Sequence, residues 1–177
     1  ENHVRDVPGV TIGIVSPDGR EGMMQNAAEF AELGIPFIFD PGQAMPLFNG
    51  AELRQFTSQA SWVAVNDYEG RMLCERTGES LAQMSRRPNI DGIVVTLAAE
   101  GCDVWQHGES SRVPGHVAQA VVDPTGCGDA FRAGLLYALE RGWPLDRAAA
   151  LGNRLGAIKI AHRGGQNHRF EPSSLGL

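Results

Sequence analysis

The stretch VVDPTGCGDAFRAG, residues 121–134, decides how the rest of the chain is read. Two valines lead into a Gly-x-Gly turn, and a helical pattern starts at once. From about Gly128 to Arg141, Phe131, Leu135 and Ala138 fall on one face, and Gly142 is a natural stop. Glycine at 126 and 128 lets the backbone turn sharply and bring its N–H groups close to a ligand. The helix N-terminus adds unpaired donors and a partial positive charge. Gly126, Cys127 and Gly128 thus form an anion hole suited to a phosphate, with Asp129 at its mouth. A carboxylate there can accept a proton from a hydroxyl held between it and the phosphate. On spacing alone, a plain helix cap and turn explains these residues equally well. The dinucleotide fingerprint GxGxxG fails, because Phe131 stands where its third glycine belongs.

Working outward, the chain alternates strand-like and helix-like segments. Strands are predicted at Val10–Val15, Ile35–Phe39, Trp62–Val65 and Ile93–Leu97. Helices are predicted at Glu21–Leu33, with a stripe of Met24, Ala27 or Ala28, and Ala31, then at Ala51–Gln59, from Asn66 to about Arg76, and at Ser80–Arg86. Cys102–Gln106 and Ser111–Val113 read as a hairpin around His107-Gly108. A last helix opens with Pro144 in its first turn and carries Ala148, Leu151, Leu155 and Ile158 inward; His162 and Arg163 mark its end. The alternation predicts an α/β fold with a mostly parallel sheet flanked by helices, in one domain over residues 1–177.

Composition narrows the function. With 42% hydrophobic and 20% charged residues, the chain reads as an ordinary globular protein. A net charge of -6 argues against a nucleic-acid surface, which needs a clustered basic face. No apolar run approaches membrane-spanning length, and there is no signal-like start. Cys74, Cys102 and Cys127 are odd in number and far apart, which suggests neither a zinc site nor a disulfide framework. A reduced, cytoplasmic setting is expected. The only lysine is Lys159, outside any GxxxxG pattern, so a P-loop is excluded. Backbone amides and arginines must then hold any nucleotide phosphates. Cys127 could be a nucleophile, since a helix N-terminus can lower a thiol pKa, but no histidine is placed near it in sequence.

DPTGCGDAF, residues 123–131, resembles the DTxGAGD signature of the ribokinase-like (phosphofructokinase-B) family of sugar and nucleoside kinases, with Pro124 and Cys127 as departures. Asn66-Asp67-Tyr68-Glu69 resembles that family's NxxE motif. Val95-Thr96-Leu97-Ala98-Ala99-Glu100-Gly101 resembles its TLGxxG loop, with Ala98 in place of the usual glycine. Asn153 and Gly156 match positions that flank the adenine in relatives. The resemblance implies that Asp129 is the catalytic base and that Gly126, Cys127 and Gly128 are the anion hole. It implies that Asn66, Thr96, Gly101, Asn153 and Gly156 lie on the nucleotide side and that Glu69, with Asn66, positions magnesium. Asp123 and the Thr125 carbonyl resemble the monovalent-cation site of potassium-activated members. On local grounds, Asn66 and Glu69 read equally as a capping box.

The implied cofactors are ATP and Mg2+, with K+ in activated members; the implied partner is a small molecule, with room for a homodimer. Phe37-Ile38-Phe39-Asp40-Pro41-Gly42-Gln43 and Arg163-Gly164-Gly165-Gln166-Asn167 resemble bacterial adenosine or nucleoside kinases. That implies transfer to a nucleoside 5′-hydroxyl, with a free sugar as the alternative acceptor. The chain is expected to be the C-terminal portion of such a kinase, incomplete on its N-terminal side, and to bind ATP without turning it over alone.

Overall fold

A computed structural model describes residues 3–175. In chain order it runs β1 (Gly13–Val15), α1 (Arg20–Glu32), β2 (Phe37–Phe39), α2 (Gly50–Gln59), β3 (Trp62–Asn66), α3 (Asp67–Thr77), α4 (Leu81–Met84), β4 (Gly92–Thr96), β5 (Gly101–Gln106), β6 (Glu109–Pro114), α5 (Cys127–Glu140) and α6 (Leu145–Ile160). The strands form one sheet in the order β1-β2-β3-β4-β5-β6, and β1 through β4 pair in parallel. The mostly parallel α/β expectation is met. The chain divides into two compact units, Glu1–Thr96 with Asp103–Ser111, and Leu97–Cys102 with Arg112–Leu177.

In the first unit, α1 packs on α2 and α2 on α3, as expected when consecutive parallel strands are joined by crossovers of one hand. Strand β2 is buried throughout, as expected where helices cover a parallel sheet. Phe39 stacks on Phe56 at 4.5 Å between ring centroids, and Phe48 meets Phe56 edge-on at 4.9 Å. Truncating a ring so placed costs about 3–5 kcal/mol. Asn49, Asn66 and Ser80 each begin a helix with a complete capping box. The hairpin turns on His107 (φ 53°) and Gly108 (φ 88°), the pair of left-handed residues that a two-residue loop requires.

Three local expectations are corrected. The strand predicted from Val10 shrinks to Gly13–Val15. The buried stripe of α1 is Met23, Ala27 and Phe30, while Met24 is only half-buried and Ala31 is exposed. The sequence offers apolar residues on both registers, and the ring of Phe30, stacked 5.5 Å from Phe37, sets which face turns inward. Pro144 is the N-cap of α6, with extended ψ of 146°, rather than its first helical residue.

In the second unit, α5 and α6 pack along glycines. A Cβ on Gly134 would lie 3.1 Å from the Gly152 Cα, and one on Gly152 would lie 2.7 Å from the Phe131 ring. The predicted inward residues Phe131, Leu135, Ala138, Ala148, Leu151 and Leu155 are buried. Ile158 is not among them: it is half-buried, and Lys159 next to it is fully buried. Among the described residues, no helix is long and apolar enough to cross a membrane.

Candidate functional site

The segment before α5 is pinned from behind. The N–H groups of Val122 and Asp123 both donate to the Ile160 carbonyl at the end of α6, at 2.8 and 3.1 Å. The Asp123 carboxylate accepts from the Gly164 N–H at 2.7 Å and from the Thr125 N–H at 2.9 Å. These bonds, the Gly164 one foremost, hold the Asp123 pKa down at about 2. Gly126 caps α5 in the left-handed region, φ 81°, with the Gly165 backbone 2.9 Å from where its Cβ would be. A side chain there would meet both strain and a collision. The chain therefore crosses itself here, residues 123–126 against 163–165.

What this builds is an open helix end. Gly126 has no side chain to cap the helix. The Cys127 N–H turns back to the Pro124 carbonyl at 3.1 Å. Among the described residues, the N–H groups of Gly126, Gly128 and Asp129 find no acceptor, and nothing pairs with the exposed Asp129 carboxylate. Two of these donors lie in the first turn of α5, at the positive end of its dipole, beside the Asp129 carboxylate. Burial pushes the Cys127 thiol up, against the nucleophile alternative, and its Sγ lies 4.0 Å from the Asp123 carbonyl.

The remaining predicted residues fall into separate groups. In the first unit, Asn66 and Glu69 engage each other. The Asn66 side chain accepts from the Glu69 N–H at 2.8 Å, and the Glu69 carboxylate accepts from the Asn66 N–H at 2.8 Å and from its Nδ2 at 2.9 Å. The Thr96 hydroxyl donates to the Val65 carbonyl at 3.4 Å, a weak strand-end contact. In the second unit, the Asn153 Nδ2 donates to the Val113 and Pro114 carbonyls at 3.3 and 3.1 Å, tying α6 to the hairpin base. Gly101, φ 100°, leaves no room for a Cβ against the Val113 and Gly115 backbone. Gly156 passes the start of α5, where a Cβ would sit 3.6 Å from the Cys127 carbonyl. Ala98 adopts φ 51°, which explains why glycine is usual at that place in the motif.

The sequence did not single out a cavity of about 370 Å³ in the second unit, lined by His116, Gln119, Ala157, Ile158, Arg169 and Phe170 among others. Its one legible signal was that Ala157 and Ile158 directly follow Gly156. Ile158, read as core, is half-buried because it forms this wall.

The ligand-free nucleoside kinase of Burkholderia thailandensis matches this chain with a TM-score of 0.94 and 40% identity, over 99% of this chain and 57% of that one. The same enzyme in complex with ADP-inosine gives 0.92 and 41%, over 97% and 53%. A nucleoside kinase of Methanocaldococcus jannaschii is 25% identical over 130 residues, 73% of this chain and 42% of that protein. A ribokinase of Haemophilus influenzae is 26% identical over 148 residues, 80% and 46% respectively. The chain thus spans about half the length of the relatives it matches. Residues 9–171, from before β1 to beyond the Gly164 crossing, match the pfkB family of carbohydrate kinases, and the chain belongs to that family.

Proposed function

We propose that the protein carrying this chain transfers the terminal phosphoryl group of ATP to the ribose 5′-hydroxyl of a nucleoside, with Asp129 as the base. The open end of α5 carries this reading: among the described residues, three N–H groups and the Asp129 carboxylate have no partner, one helical turn from a glycine cap. The donors hold the transferring phosphoryl group, where charge spreads over its oxygens. Asp129 takes the hydroxyl proton as the oxygen attacks phosphorus and the bond to ADP breaks. The cavity beside Ala157 and Ile158 is assigned to the nucleotide base. Likeness to an enzyme whose complex contains inosine favours a nucleoside acceptor. Likeness to a ribokinase keeps a free sugar as the second reading.

Magnesium, when bound, would neutralise phosphate charge. Both Glu69 oxygens already accept one hydrogen bond each. Glu69 with Asn66 therefore suits the outer layer of such an ion, through water, rather than a direct bond.

The test is ATP-dependent phosphorylation over a panel of nucleosides and sugars. Asp129→Asn should lower kcat by about 10²–10⁴-fold with Tm unchanged. Equal turnover by both proteins overturns the mechanism. Activity on ribose but not on nucleosides overturns the acceptor alone.

A further inference from the structure

The only lysine of the chain is fully buried at the crossing behind the anion hole. The Lys159 Nζ donates to the Asp123 carbonyl at 2.8 Å and to the His162 carbonyl at 2.9 Å, one from each of the two segments that meet there. Burying an ammonium is costly unless it is well hydrogen-bonded, so the arrangement asks for a reason. Its place in the last turn of α6 favours a positive charge, but an exposed residue would satisfy that equally.

The resemblance drew attention to Asp123 and Thr125 as a potassium site, and the geometry does not fit that ion. The Asp123 carbonyl faces the Lys159 ammonium, and its carboxylate oxygens are engaged by Gly164 and Thr125. A second cation brought to this place would meet a like charge at close range. The Lys159 charge acts on both Asp123 and Cys127, the first residue of α5. It therefore lies where a cation would support the helix end from behind.

We propose that the Lys159 ammonium is a built-in cation for the phosphate loop, fixing the 123–126 and 162–165 backbones and adding positive charge behind the anion hole, so that the protein needs no monovalent ion. Lys159 is a positioning residue, since it acts through the loop. The proposal rests on the reading that ATP phosphates bind at the start of α5.

The experiment measures ATP and adenosine affinity by calorimetry, and phosphoryl transfer, in the full protein carrying this chain. Potassium chloride is compared with tetramethylammonium chloride at equal ionic strength. The wild type should change less than about twofold between the two salts. Lys159→Ala should lose at least about tenfold in ATP affinity with little change for adenosine, and ammonium or methylammonium should restore part of it. Activation of the wild type by potassium of about fivefold or more overturns the proposal, as does unchanged ATP affinity in Lys159→Ala. If Lys159→Ala does not fold, the wild-type salt comparison and Lys159→Arg decide: the arginine variant should remain insensitive to potassium, and acquired potassium dependence overturns the idea. Absence of ATP binding by the wild type in either salt would overturn the functional reading itself, a distinct result from potassium-dependent binding.

Discussion

Helices α3 and α5 begin with the same outline and end up with opposite chemistry. Each has an acidic residue at its third position, Glu69 in α3 and Asp129 in α5. At α3 the cap is Asn66, and its amide and backbone exchange three hydrogen bonds with Glu69. At α5 the cap is Gly126, which offers no side chain, and the acid pairs with nothing among the described residues. The first end is closed by its own residues. The second is left open, and open helix ends carry a cost that a bound anion removes. The caps differ, asparagine against glycine, and the proposed phosphate site lies at the end whose cap has no side chain.

The largest expected effect comes from disturbing the open end. Gly126→Ala places a Cβ in left-handed backbone against Gly165. It should cost about 1–2 kcal/mol in denaturant unfolding. It should also weaken ATP binding by about tenfold or more, read by calorimetry. Unchanged binding would mean that the crossing at Gly165 does not shape the site.

A sharper cut goes to the closed end. Glutamine keeps one oxygen for the Asn66 N–H but sets an NH2 against the Asn66 Nδ2, so Glu69→Gln should cost about 0.5–1.5 kcal/mol in stability. If the carboxylate also orients metal-bound water, the half-saturating magnesium concentration should rise by about tenfold or more. An unchanged magnesium dependence would leave Glu69 as a cap alone.

The smallest effect is a pH dependence. Asp123 titrates at about 2 in the folded chain, below its ordinary value of 3.8. A group with a depressed folded pKa binds more protons when unfolded, so stability rises with pH between the two values. Its contribution is complete above about pH 4–5 and is lost as pH falls toward 2. Asp123→Asn should flatten that part of the curve in pH-dependent thermal melts, and an unaltered slope would show that the Gly164 tie is not formed.

The local devices were legible early because they depend on neighbours in sequence. Asn66 with Glu69 at the third position announced a capping box, His107-Gly108 a tight hairpin, and Gly142 a helix stop, and each is present. Glycine placement and hydrophobic period put the α5 start at about Gly128, and the helix begins one residue earlier, at Cys127, with Asp129 in its first turn. The hydrogen bonds of Asn153 were not legible: its amide holds the hairpin base, through carbonyls 39 and 40 residues away in sequence. Ile158 shows the same limit, since an apolar residue at core spacing also suits the wall of a cavity.

The sequence by itself determined the alternation of strands and helices, the family and the position of the open helix end. These follow from hydrophobic period, glycine placement and a run of consecutive residues. Only the tertiary structure decided which face of α1 turns inward, which backbone donors remain free at α5 and what lies behind them. The Cys127 N–H is withdrawn by Pro124, Asp123 is tied to Gly164, and Lys159 is buried between two loops 39 residues apart at the carbonyls it joins. Such pairings are set by how the chain crosses itself, and spacing along the sequence does not encode the crossing.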